Sequence, residues 1–281
     1  MLSKSRVIVI TGANKGLGFE LAKRLLKNPS KPIIVMTSRN ETLGKEAFAK
    51  LSDQFPSSKE SLYYHVLDIT NKETYGPFLD WIKEKFGQID VLVNNAAIIG
   101  GLGELSPDYK VPHSDAVKII GTNFLSTKEF TEFALPSLAS DGKIINISTT
   151  FGTDEAPIKA LYKRFTDPNF QSKDFEEICA AYLETAKKQN FAEAGMPPSA
   201  YKTSKALLSG WTYRFKDSLK GEQQVFSVCP GWCKTDLGTQ YALQEPEEGT
   251  VTTEYLINQP YKANKETNGK FFQNSKLLQI F

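Results

Sequence analysis

The run from Arg6 to Gly18 constrains the fold more than any other part of the chain. Arg6 to Ile10 holds a short β-branched segment bounded by Gly12, which reads as a strand buried on both faces. Thr11-Gly12-Ala13-Asn14-Lys15-Gly16-Leu17-Gly18 follows, and Phe19, Leu21, Ala22, Leu25 and Leu26 then recur at helical spacing. Strand, glycine turn and helix in that order make a phosphate-binding unit. Glycines let the backbone approach a pyrophosphate closely, and the first turn of the helix offers it unpaired N–H groups and a partial positive charge. A glycine pattern alone is weak evidence. Its place between a clear strand and a clear helix favours nucleotide binding over a mere tight turn.

The next strand, Ile33 to Met36, ends in Thr37-Ser38-Arg39. A site for NAD expects Asp or Glu about 20 residues beyond the glycines, on the ribose hydroxyl, whereas an Arg there accommodates a 2′-phosphate. No acid stands at that place. Lys15 adds a second cation, and two cations with no carboxylate favour the phosphate of NADP; the alternative is that both are solvated surface charges. Glu41 to Phe55 reads as a helix and Leu62 to Leu67 as a third strand ending in Asp68-Ile69. Asp68 either accepts from an adenine amino group or caps a helix begun near Asn71.

Phe78, Ile82 and Phe86 mark another helix, after which Val91-Leu92-Val93 runs into Asn94-Asn95-Ala96-Ala97. Small residues there would let a flat ring pass close to the backbone, unless this is an ordinary Asn-rich strand end. After a loop from Ile98 to Pro112, Ser114 to Leu138 reads as a helix closed by Gly142. It carries Asn123, a poor helix former whose amide should bond a backbone carbonyl or a water. Lys143 to Ser148 is a fifth strand ending in Ser148-Thr149-Thr150, hydroxyls that form turns or donate to a ligand oxygen.

From Phe151 to Met196 the alternation breaks, and Phe175, Ile178, Cys179, Tyr182 and Ala186 predict a half-buried inserted helix. Ser199 can cap the next helix, which the prolines at 197 and 198 cannot extend backwards. That places Tyr201 and Lys205 four residues apart on one face, so a phenol and an ammonium become neighbours. A fixed positive charge favours phenolate and would draw a group of pKa ~10 toward neutral pH, where proton transfer is useful. Taken alone, the pair reads equally as a surface Tyr and Lys. Gln224 to Cys229 is a sixth strand stopped by Pro230-Gly231-Trp232, with Thr235 and Asp236 beyond; Glu247 to Leu256 is a last helix and Gly269 to Gln273 a closing strand.

Composition excludes several classes. With 34 basic and 32 acidic side chains among 281 residues, no polyanion-binding surface is suggested, and nucleic acid is not the expected partner. Three cysteines and two distant histidines give neither a disulfide framework nor metal-ligand spacing, so no metal is expected. The N-terminus has no signal-like apolar region, and nowhere do ~18 apolar residues run together; a cytoplasmic protein without a membrane partner is expected. The length suits one α/β domain over residues 1–281, with a helical insert at about 151–196.

Gly12, Arg39, Asp68, Asn94, Thr149 and Pro230 each fall just past the carboxyl end of a predicted strand, the edge along which open parallel sheets bind ligands. With these residues the chain resembles the short-chain dehydrogenase/reductase family, and within it the NADPH-dependent carbonyl reductases. The glycine turn from Thr11 to Gly18, Asn94-Asn95-Ala96, Asn123, Tyr201 with Lys205, and Pro230-Gly231 stand in that family's order. The segment before the Tyr201 helix and Cys229-Pro230-Gly231-Trp232 mark the carbonyl reductase branch. Two positions depart from the pattern: Ala97 replaces a usual glycine, and Thr149 stands where the catalytic serine is usual.

The resemblance implies a Rossmann-type, doubly wound, mostly parallel sheet of about seven strands with helices on both faces. It implies NADPH held by Gly12, Asn14, Lys15, Gly16, Leu17, Gly18, Arg39, Asp68, Ile69, Asn95, Ala96, Tyr201, Lys205, Pro230, Gly231 and Thr235. Tyr201 would give a proton to the carbonyl oxygen of a small-molecule ketone, aldehyde or quinone. Lys205 would hold the ribose and lower the phenol's pKa, Thr149 would polarise the carbonyl, and Asn123 would order a proton-relaying water. Trp232 would wall the substrate pocket, with Thr149 touching substrate. Folded over the surface through which relatives pair, the insert would leave a monomer. The alternative is a catalytically silent NADPH-binding regulator of the same fold.

Overall fold

A strand with no polar side has to lie inside a covered sheet, and the computed structural model, which describes residues 5–106, 109–260 and 265–281, has this arrangement. In β1 (Val7–Ile10), Val7 and Val9 enter one core while Ile8 and Ile10 enter the other. The chain then alternates: α1 (Gly16–Leu26), β2 (Ile33–Ser38), α2 (Glu41–Gln54), β3 (Leu62–Val66), α3 (Tyr75–Lys85) and β4 (Ile89–Asn94). Next come α4 (His113–Ile120), α5 (Thr127–Ala134), β5 (Leu138–Ile147), α6 (Ala156–Phe165), α7 (Ser172–Lys188), α8 (Ala200–Phe215) and β6 (Gln224–Cys229). The chain closes with α9 (Pro246–Gly249), α10 (Val251–Asn258), β7 (Phe271–Gln273) and β8 (Lys276–Leu278).

The strands form one sheet in the order β3-β2-β1-β4-β5-β6-β7-β8, parallel except for β8. Leu25, Leu51 and Leu256, from α1, α2 and α10, pack on one face; Phe78, Ile119, Phe130 and Leu207, from α3, α4, α5 and α8, pack on the other. Strand order reverses beside β1, which puts the crevice for a ligand at the carboxyl ends of β1 and β4.

The expected sheet of about seven strands has eight among the described residues, because the chain turns back at Asn274-Ser275, both at positive φ (51° and 57°), and adds β8 as a hairpin. Three other expectations need correction. The helix expected over 114–138 ends at Ala134, before a 3₁₀ turn containing Pro136, whose ring cannot continue it. It also widens to a π-turn at Gly121–Ser126, where Asn123 sits. Gly142 closes no helix, since it lies within β5. The last helix is split by Thr250 into α9 and α10.

The insert contains the expected α7, with Phe175, Ile178, Cys179, Tyr182 and Ala186 all buried, and an additional helix, α6. Phe165 of α6 lies flat on α8 at Gly210, where any β-carbon would collide with its ring. The C-terminal end of α10 is fastened by two cations. Lys143, 2% exposed, donates to the carbonyls of Leu256 (2.6 Å) and Gln259, and Arg6 to that of Ile257 (2.6 Å). Burial, with the charge of Arg6 second, lowers the Lys143 pKa to about 7.

Replacing Lys143 by Met leaves buried carbonyls without a donor and should destabilise the fold by about 1–3 kcal/mol. The folded-state pKa is depressed, so between pH about 7 and ~10.4 the unfolded chain binds the proton that the folded chain has lost. Stability of the parent protein therefore rises with pH across that window relative to Lys143→Met. Urea titrations of both proteins at pH 6 and pH 9 should show a wider gap at pH 9; a gap that narrows would contradict the assignment.

Candidate active site

At the end of β1 the backbone turns through Gly12 (φ +64°) and Gly16 (φ +57°), a region that side chains rarely adopt. A β-carbon on Gly12 would sit 2.9 Å from the Cα of Ala96, and one on Gly18 would sit 2.8 Å from the Gly12 carbonyl. The turn is braced from β4. Asn95 Nδ2 donates to the carbonyls of Thr11 (2.9 Å) and Gly12 (3.1 Å), and Thr11 Oγ1 accepts from the amides of Asn95 (3.0 Å) and Ala96 (3.1 Å). No side chain caps the N-terminus of α1, which leaves its first N–H groups to a ligand.

In front of this turn lies a cavity of about 840 Å³, with Arg39, Asp68 and Ile69 at one end and Thr149, Tyr201 and Lys205 at the other. Gly12, Asn14, Lys15, Gly16, Leu17, Asn95, Ala96, Pro230, Gly231, Trp232 and Thr235 also line it. Two sequence-predicted residues stand behind the wall: Gly18, which packs on the glycine turn, and Asn123, 1% exposed. Asn123 bonds the backbone of Ile98 in both directions at 2.8 Å and donates to Ser204 Oγ at 3.1 Å. Its amide thus has the backbone partner that its place in a helix called for.

Lys15 has a carboxylate after all. Asp236, from the loop after β6, meets it at 2.6 Å, and both side chains are exposed, so the pair is worth little and a phosphate could displace the carboxylate. Asp68 does not cap the following helix. Its Oδ1 accepts from the amide (2.9 Å) and hydroxyl (2.7 Å) of Thr70, while Asn71 takes the cap by accepting from Glu73 N at 3.1 Å. The Asn95 carboxamide is engaged by the glycine turn, so what it offers the cavity is backbone and stem. Thr235 Oγ1 is likewise held in a local turn, accepting from Gly238 N at 3.1 Å.

The reactive end depends on how β5 meets α8. Ser199 caps α8 by accepting from Lys202 N at 3.2 Å, and Tyr201 faces the cavity from the first turn. Lys205 Nζ donates to the Ile147 carbonyl at 2.6 Å and lies 5.9 Å from the centroid of the Tyr201 ring. Ser148, 1% exposed, turns its hydroxyl to α8, bonding the Lys205 carbonyl (3.0 Å) and Ser209 Oγ (2.7 Å). Thr149, one residue on, faces the cavity, and its Oγ1 accepts from Phe151 N at 3.0 Å. That bond occupies a lone pair and leaves the hydroxyl proton to donate.

Burial governs the electrostatics. It raises the Tyr201 pKa, with Cys229 and Glu104 adding to the effect, and lowers that of Lys205 to about 8. The lowering of the phenol's pKa expected from Lys205 is not what the protein alone shows, because burial moves both groups toward their neutral forms.

Three contributors escaped the sequence reading. Phe151 forms a wall beneath Lys202, whose Nζ is 4.2 Å from the ring centroid and 2.5 Å from Glu155. Asp236 reaches Lys15 across 221 positions, and Thr11, read as part of the glycine turn, also braces that turn against Asn95 and Ala96. No local pattern marks such pairs. The turn, the free helix end and the cation at Arg39 together fit a dinucleotide carrying a 2′-phosphate, with its reactive ring toward Tyr201.

Residues 6–163 match the family model described as short chain dehydrogenase. Carbonyl reductase (NADPH) 1 of Rattus norvegicus is 30% identical over 284 residues, covering 99% of this chain and 99% of that protein. Carbonyl reductase (NADPH) 3 of the same organism is 30% identical, and the match covers 100% of both. Among solved structures, salutaridine reductase from Papaver somniferum superposes with a TM-score of 0.83 at 26% identity, over 96% of this chain and 99% of that one. Menthone neomenthol reductase from Mentha piperita gives 0.78 at 25% identity, over 96% and 99%. With the family model covering more than half of its length and relatives aligned end to end, the chain belongs to the short-chain dehydrogenase family.

Proposed function

We propose that this protein reduces the carbonyl group of a ketone, aldehyde or quinone to an alcohol with NADPH. The observation that carries the reading is one cavity holding a dinucleotide-type glycine turn at one end and Thr149, Tyr201 and Lys205 at the other. The aligned relatives named carbonyl reductase (NADPH) support the same chemistry. The bound cofactor supplies the hydride; the residues supply everything else. Tyr201 gives its proton to the carbonyl oxygen, and Thr149 donates a hydrogen bond to that oxygen, its own lone pair being engaged by Phe151 N. General acid help of this kind is worth ~10²–10⁴-fold in rate.

Lys205, held by Ile147, would hold a ribose hydroxyl of the bound cofactor and keep a positive charge near the developing phenolate. Asn123 fixes Ile98 at the cavity wall; with both amide protons given to Ile98 and Ser204 and one lone pair to the Ile98 amide, the second lone pair of its oxygen is all that it can offer a proton-relaying water. Trp232, whose indole donates to the Gly238 carbonyl at 2.7 Å, and Phe151 form apolar walls for the substrate. Arg39 and Lys15 take the 2′-phosphate, with Lys15 exchanging Asp236 for it. A silent regulator of the same fold is the competing reading. The intact set of polar groups speaks against it, and consumption of NADPH with a generic diketone separates the two.

Tyr201→Phe should fold and bind NADPH but lose most turnover, since the ring stays and the transferable proton goes. Thr149→Ser should stay active, Thr149→Ala should be crippled, and Ser148→Ala, which loses one bond of α8 to β5 but keeps the Lys205 to Ile147 bond, should lose rate only mildly. The reverse order at 148 and 149, or a Phe variant of near-normal kcat, would overturn the assignment.

Arg39→Asp should move cofactor preference toward NADH, because a carboxylate repels the phosphate and can accept from a ribose hydroxyl. The ratio of kcat/KM for the two cofactors measures this. An unchanged ratio would place the phosphate elsewhere.

The protein should be a monomer. Phe165, Phe175 and Tyr182 of the insert join the same core as Leu207, Leu208 and Trp211 of α8, so the apolar surface that a partner would need is covered from within the chain. Light scattering should give the 31.4 kDa chain mass; a concentration-independent value near twice that would refute it.

A further inference from the structure

Below the first turn of α8 lies a carboxyl group that the chemistry above does not use. Glu104 sits in a 3₁₀ turn (Leu102–Leu105) of the loop after β4, and it is 1% exposed. Its Oε2 accepts from the hydroxyl of Ser199, the cap of α8, and from the amide of Tyr201 at 3.4 Å. Ser199 Oγ in turn accepts from Lys202 N, so one carboxyl oxygen, one hydroxyl and two amides close the start of the helix. A second tether joins the same two segments, Val111 N donating to the Pro198 carbonyl at 3.0 Å.

A buried carboxyl is costly unless its bonds and surroundings compensate it. The compensation here comes from the N-terminus of a 16-residue helix, whose free amides and dipole favour negative charge. The other oxygen, Oε1, and the neighbouring Tyr109 hydroxyl converge on Gly100, where a β-carbon would lie 3.1 Å and 2.9 Å from them, and the Gly100 amide favours the ionised carboxyl.

Resting on the reading of Tyr201 as the proton donor, we propose that Glu104 is a positioning residue for it. The carboxyl ties the first turn of α8 to the loop after β4, and its charge beneath that turn adds to burial and Cys229 in raising the pH at which Tyr201 stops serving as an acid. The groups facing Glu104 are Tyr109 of its own loop, Tyr182 of α7 and Lys202 of α8; those facing Tyr201 are Lys205 and Cys229. Burial raises the Glu104 pKa, against the bonds from Ser199, Tyr201 and Gly100 and the charge of Lys202. At the alkaline pH where a phenol titrates, the carboxyl is ionised, and its negative charge disfavours phenolate.

The test compares Glu104→Gln and Glu104→Ala with the parent enzyme and with Tyr201→Phe, measuring NADPH oxidation by a diketone between pH 6 and pH 10. Glu104→Ala releases the turn and should lower kcat about 10²-fold, the scale of a misplaced catalytic group, while NADPH affinity read by fluorescence titration is unchanged. Glu104→Gln keeps an oxygen for Ser199 and Tyr201 and should recover most of that rate. Having lost the charge, it should also move the alkaline limb of kcat/KM to lower pH. A Glu104→Ala enzyme with the parent kcat, or a Glu104→Gln enzyme with the parent alkaline limb, overturns the proposal. Should the Ala variant fail to fold, the Gln variant alone decides through its limb. An inactive parent, or an active Tyr201→Phe, would instead overturn the reading of Tyr201.

Discussion

One lysine and one strand end hold the Thr149 and Tyr201 end of the cavity together. Lys205 gives its ammonium proton to the carbonyl of Ile147, and the next residue, Ser148, gives its hydroxyl proton to the carbonyl of Lys205. This reciprocal pair fixes α8 against β5 in rotation and in register. Thr149 lies one residue beyond the strand side of the pair, and Tyr201 one helical turn before its helix side, so their separation is set before any substrate arrives. The ammonium is buried, and its cost shows in a pKa pulled down to about 8. A group held at that cost is fastened by the carbonyl of Ile147, and loss of that bond would leave it stranded.

The same device recurs wherever the carboxyl edge of the sheet runs out of backbone partners. Asn94 donates to Asn146 (2.7 Å) and Thr131 (2.8 Å), and Asn146 donates to Thr212 (2.8 Å), tying β4 and β5 to α5 and α8. Asn123 ties the π-turn to Ile98, and Asn95 ties β4 to the glycine turn. Each uses a short amide where a purely apolar contact would leave the backbone free to slide. Each hydrogen bond of such a buried network is strengthened by its low-dielectric surroundings, so together they hold strands and helices in one register. The cavity is thus a rigid edge built from polar staples, with apolar walls at Phe151 and Trp232 added by loops.

Much of this was legible in the sequence, for physical reasons that differ by residue. β1 and the glycine turn are local: strand burial, positive φ and helix start are all written within thirteen positions. Tyr201 and Lys205 are one turn apart on a capped helix, and the cap is Ser199, as its place after two prolines implies. Other features depend on tertiary partners. Asp68 reads as a possible cap, and the cap falls to Asn71 because its amide oxygen, not the Asp68 carboxylate, reaches the free N–H of Glu73. The Lys15 to Asp236 pair and the Glu104 anchor join segments 221 and 97 residues apart, and no periodicity records them. The extra strand β8 escaped because its turn is Asn-Ser, without the glycine that usually marks such a hairpin. The pKa of Tyr201 went the other way from expectation because burial, invisible in a helical wheel, favours the neutral phenol.

Isotope transfer puts the chemistry assigned to this cavity to the most direct trial. NADPH stereospecifically deuterated at nicotinamide C4, in each of its two forms, is turned over with a diketone, and the isolated alcohol is weighed by mass spectrometry. Direct reduction in a fixed site requires one deuterium on the carbinol carbon from one form and none from the other. Alcohol without deuterium from either form, or with equal label from both, would contradict a single orientation of hydride donor and carbonyl between Thr149 and Tyr201.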